Sequence, residues 1–331
     1  VRQARISRGI ADADRYPSVN ASGSARRTYR NEMAGDFSGT DTFNLGLDAS
    51  WELDIFGGVR RSLEASDAEL AATEESYRDV LVSLLAEVAL NYVELRSYQV
   101  RLGVAEANLR SQEETWEITR WRHEAGLTTA LDVELARTNL EQTRANIPAL
   151  RSGIEQTLNA LSVLVGGIPG TLDGKLGERQ PVPLPPEEIA VGIPADLLRR
   201  RPDLRRAERE LAAQSAKIGA ATSKLYPSFS LSGSVGLDAL SAGDLFDADS
   251  FSTGAGGIIS WPVYTAGAII RNIELQWEIQ AQKLIAYRKA LLTALEDVEN
   301  GLTSYAYEKQ SRESLLAAYQ AAELAAEMSR A

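Results

Sequence analysis

Apolar residues recur along this chain with two different periods. Between Val59 and about Ala125 they return every seven positions, at Leu81, Val88, Leu95, Leu102, Leu109 and Trp116. A second row runs through Tyr77, Leu84, Tyr98 and Ala105, interrupted by Asn91 and Gln112. A seam sustained over that many heptads predicts a helix over about 59–125, roughly 100 Å long at 1.5 Å per residue. Ala65, Ala68, Ala71 and Ala72 would let neighbouring helices approach closely. Gly126 ends the pattern, and Thr128 or Thr129 can cap a second helix over about 130–165. That helix carries Leu140, Ile147, Ile154 and Leu161 at the same spacing, with a kink or irregularity expected at Pro148. The two helices read as a long antiparallel hairpin with its tip at Gly126-Leu127-Thr128-Thr129.

Elsewhere the period is two. Val19, Ala21, Gly23 and Ala25 alternate with polar residues, as do Phe43, Leu45, Leu47, Ala49, Trp51 and Leu53. The pattern returns at Phe229, Leu231, Val235 and Leu237, then at Phe251, Ala255, Ile259, Trp261 and Val263, with Ile258 an exception on the polar face. These stretches predict strands over about 16–30, 42–55, 227–238 and 251–264, each with one apolar and one polar face. The apolar residues carry odd numbers in all four. Asn31–Asp41 is polar and Gly-containing, so a hairpin loop is expected there.

An internal repeat orders these pieces. Tyr16-Pro17-Ser18 and Ser22-Gly23-Ser24 recur as Tyr226-Pro227-Ser228 and Ser232-Gly233-Ser234, and Ser50-Trp51 recurs as Ser260-Trp261. Gly57, Arg61, Glu64, Tyr77, Arg78, Leu81, Leu85 and Val88 all find their counterparts at one offset, 210 positions, without a gap. The division that follows is a first repeat over 1–165, a Pro-rich connector over 166–201, and a second repeat over 202–331. The connector holds seven of the 11 prolines between Pro169 and Pro202. The second repeat would comprise a helix over about 202–225, two strands, and a long helix from about 268. Val1 aligns with the middle of the second repeat's leading helix, and the equivalent of the Gly126 turn would fall after Ala331. The expectation is therefore a segment of a longer chain.

Composition narrows the chemistry. The 331 residues contain no Cys and one His, which excludes disulfides, thiol catalysis and multi-His metal sites within the segment. Lys plus Arg number 35 and Asp plus Glu 46, for a net charge of −11, a poor default for nucleic-acid binding. No run of roughly 18 apolar residues exists, so no transmembrane helix is expected. The first impression is a soluble acidic protein.

The strands contradict that impression. A membrane accepts strands only in a closed barrel, and four strands are too few to close one. Three chains sharing 12 strands would give a lipid-facing exterior and a polar lumen. Trp51, Trp261 and Tyr264, at strand ends beside the helices, suit an interfacial aromatic girdle. Asp48, Glu52 and Asp54 would line the lumen near its mouth beside the helices and favour cations.

These features coincide with a known family. Ile193-Pro194-Ala195-Asp196-Leu197-Leu198-Arg199-Arg200-Arg201-Pro202-Asp203, Ile218-Gly219-Ala220-Ala221 and Leu225-Tyr226-Pro227-Ser228-Phe229-Ser230-Leu231 resemble the outer-membrane efflux factors. So do Trp51-Glu52-Leu53-Asp54-Ile55-Phe56-Gly57 and Gly126-Leu127 with Leu131-Asp132-Val133. These are the TolC-like trimeric exit ducts of Gram-negative bacteria, and the branch indicated is that of the NodT-type efflux lipoproteins. The resemblance covers essentially the whole chain. It implies a mainly α fold with a β-barrel portion. Long antiparallel helical hairpins form a helical tunnel, and four strands per chain contribute to a 12-stranded barrel in a homotrimer. It also implies a passive, multidrug-type duct in the outer membrane with its helices in the periplasm. Its partners would be a periplasmic adapter (membrane fusion) protein and an inner-membrane pump, and it would need no cofactor and no metal. By motif match, Gly126, Leu127, Thr128, Leu131 and Asp132 fall at the adapter-facing periplasmic tip.

Plainer readings stand beside these. A hairpin needs a Gly and a cap in any case, although exposed leucines at a tip exceed that need. His123 reads as a solvated helix-end residue, with a pH-sensing gate as the sharper alternative. Arg199-Arg200-Arg201 precedes a helix start and suits pairing with acidic neighbours. Glu74-Glu75 and Glu113-Glu114 suit solvated helix faces rather than catalytic pairs. A soluble coiled-coil scaffold would explain the heptads but not the two-faced strands. A hydrolase lacks any convergent nucleophile and base.

Overall fold

The computed structural model describes residues 1–32, 36–185 and 194–330, so Ile193 and the stretch from Pro186 to it, together with Met33–Gly35, lie outside the described residues. The protein is mainly helical with one four-stranded antiparallel sheet in the order β1-β2-β3-β4. The elements are α1 (Arg2–Ala13), β1 (Ser18–Glu32), β2 (Asp36–Leu53), α2 (Gly58–Glu124), α3 (Ala130–Leu164), a single turn α4 (Asp173–Leu176), α5 (Pro194–Arg200), α6 (Pro202–Ser223), β3 (Ser228–Ala239), β4 (Phe251–Ser260) and α7 (Ala268–Arg330). By packing they fall into two units, Val1–Arg78 with Gly192–Ala331, and Asp79–Val191. This grouping differs from the division into sequence repeats.

In the first unit the two hairpins share one register under the 210-position offset. Ser18 pairs with Ser50 and Ser228 with Ser260; Ala25 pairs with Phe43 and Val235 with Thr253. Odd residues pair with odd residues across all three ladders, so the apolar positions occupy one face. Two expectations need correction. Most of Asn31–Asp41 is strand rather than loop, since Glu32 pairs with Asp36; a ladder persists through polar residues when its main-chain bonds are made. The fourth strand stops at Ser260 instead of running to Tyr264, because Pro262 has no N–H to donate.

Helices α2 and α6 approach on small residues. A Cβ on Gly58 would lie 2.5 Å from the Ser223 hydroxyl, and one on Gly219 would meet the Arg61 side chain at 3.0 Å. Ala65, Ala72, Ala213, Ala216 and Ala221 are buried. Helix α7 joins α6 by polar bonds: Gln214 donates to the Gln276 main-chain oxygen at 3.0 Å and Lys283 pairs with Glu210 at 2.8 Å. Arg201, just before Pro202 opens α6, forks onto Asp203 at 2.7 and 3.1 Å and reaches Asp297 at 2.8 Å. That side-chain bond from Arg201 holds the Asp203 carboxyl below its ordinary range.

In the second unit the seam positions turn inward. Leu95, Leu158 and Leu161 form a buried cluster with Val88, Ile154, Leu172 and Leu176 around it. Leu140 and Ile147 are buried as well, and α3 continues as one helix through Pro148. Gly153 is needed at this crossing, since a Cβ there would sit 2.8 Å from the Tyr98 ring. The expected irregular connector contains the α4 turn, tied to α2 by buried polar groups. Arg96 donates to the main-chain oxygens of Leu176 and Glu178 at 3.2 and 2.8 Å, and Gln99 donates to Leu176 at 2.8 Å. Burial of this guanidinium is offset in part: Nη1 makes these carbonyl bonds and one to the Gln99 side-chain oxygen at 2.7 Å, and the Tyr92 ring lies 5.0 Å away, while Nε has no partner among the described residues.

Candidate functional site: a two-faced sheet and a capped helical tip

The sheet exposes the face that a water-soluble protein would bury. Leu45 and Leu47 at its centre are 46% and 48% exposed, and Val19, Leu231, Val235, Phe251 and Ile259 on the same face are exposed too. From Phe43 to Leu53 is ten residue steps, or about 33 Å of strand. Tilted by about 40°, that length gives an apolar band about 25 Å tall. Past the band the same face becomes charged, with Arg27 paired to Asp41 at 3.1 Å.

The opposite face carries small polar groups bonded to one another. Ser22 donates to the Asp48 carboxylate at 2.9 Å, Ser24 donates to Asn44 at 3.1 Å, and the Asn44 amide bonds Asp238. Gly46 lies opposite Gly236 on this face, where a Cβ on Gly236 would come 2.9 Å from the Leu45 main-chain oxygen. Asp48 sits mid-sheet, opposite Asn20 and Ser234. Glu52 is at the helical end, where it lines a hollow of about 370 Å³ with Asp54, Lys224 and Ser228. Asp54 differs from the other two acids. Its carboxylate accepts the main-chain N–H groups of Val59 and Arg60 at 3.0 and 2.9 Å and pairs with the Arg60 guanidinium at 3.0 Å, so it anchors the start of α2.

The aromatic residues gather at this same end. Trp51 donates its indole N–H to the Arg15 main-chain oxygen at 2.9 Å, and Trp261 donates to Leu225 at 3.1 Å, a bond displaced by the repeat offset. Tyr264 follows β4 in irregular chain and is 89% exposed. Phe56, legible in the sequence only as part of a family motif, stacks on Tyr226 with ring centroids 4.7 Å apart, a contact that the sequence did not show. The repeated Tyr-Pro-Ser motif was the available signal.

The tip is a second, separate arrangement. Helix α2 ends at Glu124 and is closed by Gly126 in the left-handed region (φ 76°), with Leu127 N–H bonded to the Arg122 oxygen and Gly126 N–H to the His123 oxygen, both at 2.8 Å. Thr129 then opens α3 with a reciprocal cap: Asp132 accepts from the Thr129 N–H at 2.9 Å, and the Asp132 N–H reaches the Thr129 hydroxyl at 3.3 Å. These bonds from Thr129 hold the Asp132 carboxyl below its ordinary range, with a smaller contribution from His123. His123 Nδ1 lies 3.0 Å from the Thr128 oxygen, which requires Nδ1–H to donate. Leu127 and Leu131 project from this turn at 73% and 68% exposure.

Similarity to known proteins decides what this combination belongs to. The outer membrane efflux protein family matches residues 1–167 and 193–331. The chain belongs to that family. Among relatives, the cation efflux system protein CusC of Escherichia coli O6:H1 is 31% identical over 305 residues, covering 91% of this chain and 65% of CusC. Nodulation protein T of Rhizobium leguminosarum bv. viciae is 32% identical over 279 residues, 82% of this chain and 56% of that protein. Among solved structures, the outer-membrane channel OprN superposes with a TM-score of 0.89 at 34% identity, covering 95% of this chain and 71% of OprN. This outer membrane efflux protein therefore has the fold of the Gram-negative outer-membrane channels. It spans 65% and 56% of the lengths of the two relatives.

Proposed function

We propose that the protein is a passive exit duct of a tripartite efflux system. It assembles as a homotrimer in which each chain supplies four strands to a 12-stranded barrel. The long helices form a periplasmic tunnel that meets an adapter protein and, through it, an inner-membrane pump. Small molecules, whether drugs, toxic compounds or ions, pass through without chemistry in the duct. The observation that supports this most is the two-faced sheet. A band of exposed apolar residues about 25 Å tall stands back to back with a bonded polar face, and with nothing among the described residues packed over the apolar side such a sheet suits lipid on one side and water on the other.

Within that reading, Asp48 and Glu52 face the lumen. The Asp54 charge is largely compensated by Arg60. Trp51, Trp261 and Tyr264 lie at the membrane boundary, each with an apolar ring and a polar handle. Gly126, Leu127, Thr128, Leu131 and Asp132 form the adapter-facing tip, where two exposed leucines supply apolar contact and the caps hold them in place. The name of CusC favours ions as one class of cargo.

Fractionation tests the reading. Full-length protein expressed in a Gram-negative host should sediment with outer membranes and require detergent for extraction. Recovery in the soluble fraction would favour a coiled-coil scaffold instead.

A further inference from the structure

The sheet has two outer edges, β1 and β4, and neither is paired to another strand among the described residues. Both are long, at 15 and 10 residues, and both flank an apolar face. Unpaired main-chain groups on such edges are costly in lipid, so each needs a partner strand.

The internal ladders indicate the register of that partner. The β1–β2 and β3–β4 hairpins superpose under the 210-position offset. The β2–β3 ladder joins the second strand of one repeat to the first strand of the next. Moving that ladder forward by one repeat puts β4 against β1 of a second copy. Ser50 opposite Ser232 becomes Ser260 opposite Ser22, and Ala49 opposite Gly233 becomes Ile259 opposite Gly23.

We infer that β4 of one protomer pairs antiparallel with β1 of the next, with Ser260 directly opposite Ser22 of the neighbouring copy. The inference rests on the trimeric duct reading and deepens it to a residue register. All ten residues of β4 find partners inside β1 in this register. Odd residues again meet odd ones, so the apolar band crosses the junction unbroken. Bulky side chains meet small ones: Arg26 faces Gly256, and Ile259 faces Gly23. A slip of one residue would turn the apolar side chains of the neighbouring protomer into the lumen.

Cysteine pairs in the full-length, membrane-extracted protein test this; the 331 residues themselves hold no Cys, and each single-Cys variant run alongside reveals any link made to a Cys elsewhere. Directly opposed strand residues lie about 4.5–5.5 Å apart at Cα, within disulfide range, whereas diagonal neighbours lie about 7–8 Å apart, outside it. Ser50→Cys with Ser232→Cys is the internal control and should close within one chain under copper-phenanthroline. Ser22→Cys with Ser260→Cys should give covalent dimers and trimers. Ser24→Cys with Ser260→Cys, displaced by two residues, should remain unlinked. If native mass shows a trimer but only the displaced pair links, or neither does while the control closes, the register is overturned and the duct reading stands. A monomeric native mass overturns the duct reading itself, and the register with it.

Discussion

Trp51 donates to the main-chain oxygen of Arg15 at 2.9 Å, tying the end of β2 back to the segment that follows α1. Trp261 makes the same bond to Leu225 after α6. The indole thus presents its ring outward while its one donor is satisfied inward. Trp51→Phe should keep most of the ring and lose about 1 kcal/mol for the bond. Trp51→Ala should lose the ring as well. The temperature at which the detergent-solubilised oligomer dissociates on a gel should fall slightly for the first and clearly for the second. Equal falls would assign the residue to hydrogen bonding alone.

Asp54 is expected to act on helix stability more than on ion passage. Asp54→Ala removes the acceptor for the Val59 and Arg60 N–H groups and should cost about 1 kcal/mol. Asp48→Asn with Glu52→Gln should instead leave stability nearly unchanged and reduce cation preference. Reversal potentials in a planar bilayer under a salt gradient read the difference, and unchanged potentials in the double variant would reject a lumenal role for these acids.

Two helical glycines should respond oppositely to alanine. A Cβ at Gly153 strikes the Tyr98 ring, which is packed between helices, and overpacking of that kind costs about 1–3 kcal/mol. A Cβ at Gly103 meets the far end of the Arg179 side chain, which can swing away, so the gain in helix propensity, up to about 1 kcal/mol, remains. Gly153→Ala should lower thermal stability and Gly103→Ala should hold or raise it. The reverse order would contradict the packing described.

Asp203 gives a pH signature. Its carboxyl is lowered by Arg201, so its contribution is present above the ordinary carboxylate range and is lost as pH falls through the lowered value. Asp203→Asn should therefore be less stable than the parent chain at pH 7 and should converge with it in acid. Thermal melts at both pH values check this; a constant difference would show that the ion pair is not the cause.

At the tip, Leu127→Glu should abolish efflux in cells while leaving outer-membrane levels unchanged, because the substitution lies on an exposed side chain beyond the caps. Efflux at the parental level, measured as drug or metal-ion tolerance, would place adapter contact elsewhere.

Much of the fold was legible because two periodicities repeat. Leu95, Leu140, Ile147 and Leu161 are buried where the seven-residue spacing put them. The odd-numbered apolar residues share one face as the alternation required. Strand ends were less legible, since Pro262 shortens β4 while main-chain bonding carries the first hairpin through polar sequence to Glu32. Long-range polar ties were not legible at all. Nothing local marks Arg96 as buried or directs it to the carbonyls of Leu176 and Glu178, because its partners lie about eighty residues away. Asp54 shows the same limit for the candidate site. Alternation groups it with Asp48 and Glu52, and only the start of α2 beside it reveals its engagement.

In the proposed duct, several copies of this chain enclose one water-filled pore. Native mass of the full-length, detergent-extracted protein, followed by reconstitution of the same sample into a planar bilayer, tests it most directly. The expected result is a mass of three chains and discrete conductance steps. A single-chain mass with an electrically silent bilayer would contradict it.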